Sequence, residues 1–250
     1  MENSDLVQET VDVEKAIADL AARYTAAGNF GVQVLNVLNW PAESLIERLP
    51  ENARAKLETA TVRGLEAAMS AASGTRSLIK DQKNWVNTAT TTAVGVVGGL
   101  GGLTTALAEL PVTVTMLMRS VQAVAAEHGF DPDEEQTRKD ALLVFAAAGP
   151  LVQGKTPDLT FLSSRVTLTG VNVYVGIGLI APRLALVLGR KLAAQTIPVI
   201  GAATAAATNY SYSGYYQEMA AVVFGLRALS EQTGTPFEEL VEMLSARLED

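Results

Sequence analysis

The sequence predicts an all-α, multi-helix globular bundle with glycine-rich apolar central helices, and three observations predict it. Apolar residues recur at helical spacing, as at Val13, Ile17, Leu20, Ala21 and Tyr24. No segment alternates polar and apolar with period two, and no repeat of fixed length is present. Hydrophobic residues make up 48% of the chain and charged residues 18%, against roughly a quarter charged in an average soluble protein, so an unusual share of the chain must avoid water.

Residues 1–10 are polar and are expected to be loosely attached, with a single domain over residues 11–250. The first amphipathic helix is expected to end near Gly28. A short apolar run over residues 32–38 meets Trp40-Pro41, where proline suits the first turn of a new helix running to about Leu49. Pro50 separates it from a longer helix over residues 52–72. Residues 84–108 carry no charge, and Gly95/Gly99 and Gly98/Gly102 form two overlapping pairs at the spacing that lets helices approach closely. Pro111 is expected to begin the next helix, which ends at His128-Gly129. Asp131, Pro132 and Glu134 then have the form of an N-cap, a first-turn proline and a capping-box carboxylate, opening a helix to Ala148. Two more charge-free stretches, 166–182 and 192–217, flank Arg183, Arg190 and Lys191. A helix over residues 215–231 and a last one opened by Pro236, with Glu238 and Glu239 in its first turn, complete the chain.

Composition excludes several functions. The formal net charge of −8 opposes the basic field that a phosphate backbone requires, so nucleic acid is not an expected partner. The absence of cysteine removes disulfides, thiolate metal sites and cysteine nucleophiles. The single histidine, His128, leaves no basis for a structural zinc site, and its place at a helix C-terminus suits a cation at the negative end of the dipole. The acidic start MENSDLVQETVDVEK is the opposite of a signal peptide, which predicts an unprocessed, cytoplasmic chain.

Several short motifs fail on their own chemistry. Gly149-Pro150-Leu151-Val152-Gln153-Gly154-Lys155-Thr156 fits the pattern of a phosphate-binding loop, yet Pro157 removes a backbone donor where the helix should start. No Asp or Glu occurs between Asp158 and Glu218 to hold magnesium. Gly99 and Gly101 lack the third glycine of a dinucleotide fingerprint. Ser77 and Lys80 have the spacing of a serine acylase without its other elements. Asp131, Asp133, Glu134 and Glu135 form the densest acidic group, which helix capping explains, and no metal or cofactor is expected. Isolated charges are more informative. Glu109 borders the long uncharged run, Arg119 sits in an apolar helix, and Thr115, Arg119 and Gln122 share one stripe, so a buried polar seam with a Glu109–Arg119 pair is expected.

The segment AELPVTVTMLMRSVQAVAAEHGFDPDEEQTRKDALLVFA resembles the central signature of EcsC-type proteins. RKLAAQTIPVIGAATAAATNYSYSGYYQEMAAVVFGLRAL is similar to the family's second signature, and together they span most of residues 85–230. By this resemblance Glu109, Pro111, Arg119, Pro198, Gly201 and Asn209 occupy recognisable family positions. Residues 194–212 depart from the pattern, with Ala and Thr where a more glycine-rich stretch belongs. The family is named for its association with an ABC-transporter gene cluster and brings no established reaction. The resemblance therefore implies an accessory factor at the inner face of a membrane, partnered by a lipid surface or a membrane protein. A hydrolase or small-ligand bundle built on Glu109, Arg119, Asn209 and Tyr210 is the alternative, and a homo-oligomer packed through residues 95–102 a third expectation.

Overall fold

The computed structural model describes residues 11–38, 46–72, 102–151, 158–195 and 201–249. Within these lie eight α-helices: α1 Val13–Leu38, α2 Glu51–Ala72, α3 Gly102–Glu127, α4 Glu135–Val144, α5 Thr160–Thr169, α6 Val173–Gln195, α7 Gly201–Thr233 and α8 Phe237–Glu249. A 3-10 turn, Ile46–Arg48, precedes α2, and no strand occurs among the described residues. An all-α bundle is therefore the architecture.

α7 is the axis of the bundle. At 33 residues it is about 50 Å long, and α1, α3, α4, α6 and α8 all pack on it. Its low polarity explains the placement: Met219, Ala220, Val222, Val223, Phe224 and Leu226 are buried on every side of the helix, the mark of a central rather than a surface helix. α2 and α3 form a second close pair. A Cβ at Gly64 would fall 2.7 Å from the Val114 Cβ and 3.0 Å from the Pro111 Cα, so only glycine permits that approach. Gly214 and Gly225 of α7 do the same for Phe30 and Leu20 of α1. Among the described residues the close-packing helix glycines thus lie at 64, 189, 214 and 225; of the expected Gly95–Gly102 group only Gly102, the first residue of α3, lies within the described residues.

Several boundaries differ from expectation. α1 continues through Gly28, where a Cβ would touch nothing, because one mid-helix glycine costs only about 1 kcal/mol and the burial of α1 against α7 outweighs it. Pro111 lies inside α3 rather than at its start, and Pro182 lies inside α6. Each proline removes one ladder hydrogen bond, and packing on both sides keeps the helices continuous. α4 begins at Glu135 instead of Pro132, because Asp131 folds back to accept the Asp133 N–H in a tight turn, and it ends at Val144, not Ala148. α7 starts fourteen residues before the expected Tyr215. α2 and α8 match the sequence reading within a residue or so, and α8 buries Phe237, Leu240 and Leu244 at helical spacing.

Candidate functional site

The continuity of α3 decides the fate of the expected Glu109–Arg119 pair. Ten residues along one helix separate the side chains by about 15 Å, so the two cannot meet, and the pair is not formed. Both residues are half-buried. Arg119 makes no ion pair among the described residues, whereas Glu109 acts on Lys191 of α6 through space. On α7, Asn209 is buried to 1% exposure and Tyr210 is 51% exposed. One residue turns a helix by 100°, which sends Tyr210 outward to an edge contact with Phe30, ring centroids 5.8 Å apart. Tyr210 is not part of a buried site. Pro198 lies outside the described residues, and Gly201 is the first residue of α7.

The interior polar region therefore gathers around Asn209 and Lys191. Asn209, Tyr212 and Tyr216 follow one another at three and four residues and form one buried stripe of α7. The Tyr212 hydroxyl donates to the Val187 carbonyl of α6 at 2.9 Å. The Lys191 ammonium stands 5.7 Å from the centre of the Tyr212 ring. Burial lowers its pKa to about 8, with the Glu109 carboxylate pulling the other way, and burial holds the Tyr212 and Tyr216 hydroxyls well above the ordinary phenol range. Both polar atoms of the Asn209 side chain, the Thr208 hydroxyl and the Tyr216 hydroxyl are buried without hydrogen-bond partners.

A second polar cluster, at the opposite end of α7, is fully paired. Asp140 of α4 accepts from Arg165 Nε at 3.1 Å, from Arg227 at 3.3 Å and from Gln136 at 3.0 Å. Arg227 also donates to Glu134, Glu231 and the Thr137 hydroxyl and lies 4.1 Å over the Phe130 ring. Arg165 stacks 4.3 Å over Phe237 of α8. Burial raises the Asp140 carboxyl above its ordinary value, against the pull of Arg165 and then Arg227. Burial lowers the pKa of Arg227, but hydrogen bonds to Glu231 and Glu134 more than reverse this and raise it. With each charged group facing an opposite charge, the cluster ties α4, α5, α7 and α8 together.

Sequence reasoning passed over Lys191, Asp140 and Arg227. The signal that singled out Arg119, one charge within an apolar helix, was equally present in MAAVVFGLRAL and KDALLVFA. The phosphate-loop match has the wrong surroundings: its N-terminal neighbour is the helix α4, not a strand, and the buried Gly149 N–H is spent on the Tyr215 hydroxyl at 3.2 Å. Residues 152–157 lie outside the described residues. Ser77 and Lys80 do so too. His128 Nδ1 sits 2.8 Å from the Val124 carbonyl at the end of α3, and no three His, Cys, Asp or Glu side chains among the described residues could hold a metal.

No curated protein and no solved structure matches the chain. A family match extends over residues 54–229, from the first turn of α2 to the last turns of α7, and takes in the whole interior polar stripe and most of the charged cluster. The chain belongs to the EcsC protein family.

Proposed function

We propose that the protein is a non-enzymatic accessory factor that rests on an anionic membrane surface through one side of α6. The observation that carries this reading is an apolar ridge open to solvent. Tyr174, Val175, Leu179 and Leu186 are 48–61% exposed, and the spacing of Val175, Leu179, Pro182 and Leu186 keeps them on one side of the helix. Such a contiguous exposed apolar face calls for a partner, whereas scattered exposed residues do not.

Charge favours a lipid surface. The chain has a formal net charge of −8, yet it carries no acid from Leu159 to Gln217, where Arg165, Arg183, Arg190 and Lys191 are all basic. Arg183, 40% exposed and 3.5 Å from the Asp158 carboxylate, flanks the ridge on one side. α6 is the one described helix long and apolar enough to cross a membrane, and 56% of that stretch is buried inside the protein. A helix with half its surface in a core fits a surface-lying role better than a span.

Half-burying four ridge side chains contributes about 1 kcal/mol each, and a basic residue near an anionic surface adds about 1 kcal/mol. The sum, about 5 kcal/mol, describes weak, reversible attachment. Sedimentation with vesicles containing phosphatidylglycerol, against vesicles of phosphatidylcholine alone, tests it. The expected result is binding to the anionic vesicles that weakens with salt, and a roughly 30-fold loss in the Leu179→Glu, Leu186→Glu double variant, which removes about 2 kcal/mol of apolar contact. A wild-type protein that sediments with neither vesicle and stays in the soluble fraction of cells refutes the reading.

A further inference from the structure

The stripe on the N-terminal half of α7 has a chemistry that the membrane reading does not use. Native interiors satisfy nearly every buried polar group. Here Thr208, Asn209 and Tyr216, each no more than 1% exposed, leave two hydroxyls and a complete carboxamide unpartnered within three turns of one helix. The Lys191 ammonium, on a residue 5% exposed, reaches the same stripe at Tyr212 and forms no ion pair among the described residues.

The charges set the class of ligand. Lys191 and Arg190, whose Nε is itself buried without a partner and whose charge acts on the Tyr212 hydroxyl, stand against Glu109, the acid that acts on Lys191. One net positive charge remains, which matches a monoanion. A carboxylate fits an ammonium and hydroxyl donors, while the Asn209 carboxamide offers both a donor and an acceptor to a polar substituent beside it. The ring of Phe145, edge-on to Tyr216 with centroids 4.9 Å apart, gives the stripe an apolar wall.

We propose that the Lys191–Asn209–Tyr216 stripe binds a small monocarboxylate, with Lys191 holding the carboxylate and Asn209 reading a neighbouring hydroxyl or amino group. Ordered water is the competing way to satisfy Asn209 and the hydroxyls, but neutral water does not match the one positive charge that Lys191 and Arg190 carry beyond Glu109.

The test uses the full-length protein and the sodium salts of acetate, lactate and benzoate, each compared with sodium chloride at equal ionic strength. Ligand-observed NMR reads binding and thermal unfolding reads stabilisation. The expected result is saturable binding of at least one carboxylate by the wild type, reduced at least tenfold in Lys191→Met and in Asn209→Leu. Both variants replace unpaired polar groups by apolar ones of similar size, so the unliganded variants are expected to melt at or above the wild-type temperature. Absence of carboxylate binding to the wild type beyond the chloride control overturns the proposal. Equal binding by folded Lys191→Met overturns it as well, and a wild type that binds nothing while both variants melt earlier assigns the stripe a structural role only.

Discussion

Replacing Asp140 or Arg227 singly, and then both together, measures the charged cluster between α4 and α7. The Asp140 side chain is 1% exposed and that of Arg227 8%, so each single change leaves a charge that water reaches poorly. Removing one partner of such a pair costs about 3–5 kcal/mol. Both changes should fall at the lower end. Without Asp140, Arg227 retains Glu134 and Glu231, and Arg165, 20% exposed, regains some water. Without Arg227, Asp140 retains Arg165 and Gln136. We expect Asp140→Leu and Arg227→Met each to lose about 3 kcal/mol. The double variant Asp140→Leu, Arg227→Met exchanges the pair for apolar groups and should lose only about 1–2 kcal/mol, because the desolvation cost of two ions disappears with them. Urea unfolding followed by far-ultraviolet circular dichroism at neutral pH gives all three values from midpoints and slopes. Single losses below about 1 kcal/mol would put the cluster in the class of surface ion pairs, and strictly additive losses would show that Asp140 and Arg227 do not act as a pair; either result refutes the reasoning.

Lys191 gives a prediction in pH. Its folded-state pKa lies near 8, below the ordinary lysine value of 10.5, so between these values the unfolded chain binds more protons and stability rises with pH. From pH 7.5 to 9.5 this group should add about 2 kcal/mol, a gain read as the difference between wild type and Lys191→Met in urea unfolding; identical pH profiles would refute it. Below pH 7.5 its contribution is flat, and above pH 10 the buried tyrosines act in the opposite direction, since their folded pKa values are raised. At Gly64 the Val114 Cβ and the Pro111 backbone leave no room for a methyl, so Gly64→Ala should lose about 1–3 kcal/mol. Gly28→Ala meets open space and should gain about 0.5–1 kcal/mol; thermal melts of the two variants check both signs. Arg183→Glu breaks an exposed ion pair to Asp158 at 3.5 Å and should lose no more than about 1 kcal/mol of stability while weakening attachment to anionic vesicles, and an unchanged vesicle affinity would argue against a role for the basic flank.

The fold class was legible because burial writes its period into the sequence. α8 is the clear case: Phe237, Leu240 and Leu244 mark the buried side, and acids sit in the first turn. Where the reading failed, tertiary packing overrode a local breaker. Gly28 and Pro111 each carry a local penalty of about 1–3 kcal/mol, and helices buried along most of their length absorb it. The missed continuity at Pro111 had a direct consequence for the site, since it turned a supposed contact between helix ends into two positions about 15 Å apart on one rod. Glu109 was legible as a charge at the edge of an uncharged run, and Asn209 through the family resemblance. Lys191 was not, because it sits between Arg190 and an apolar run and looks like one end of a charged boundary; only the packing of α6 on α7 turns it inward to the Tyr212 ring.

The two polar regions of α7 differ in a way that bears on function. Asn209 and Arg227 are eighteen residues apart, about 27 Å along the helix. At Arg227 every charged group meets an opposite charge, a hydroxyl or a ring face, and such a set fixes the register of α4, α5 and α8 on the axis without presenting any unspent chemistry. At Asn209 the donors and acceptors are buried and unspent. Selection for stability alone disfavours that arrangement, because an apolar side chain of the same size removes the penalty. The C-terminal half of α7 therefore has the character of a clamp and the N-terminal half that of the proposed site, and α6 joins the second to the exterior: its inner side carries Lys191 to the stripe, and its outer side carries the apolar ridge with Arg183 at its edge.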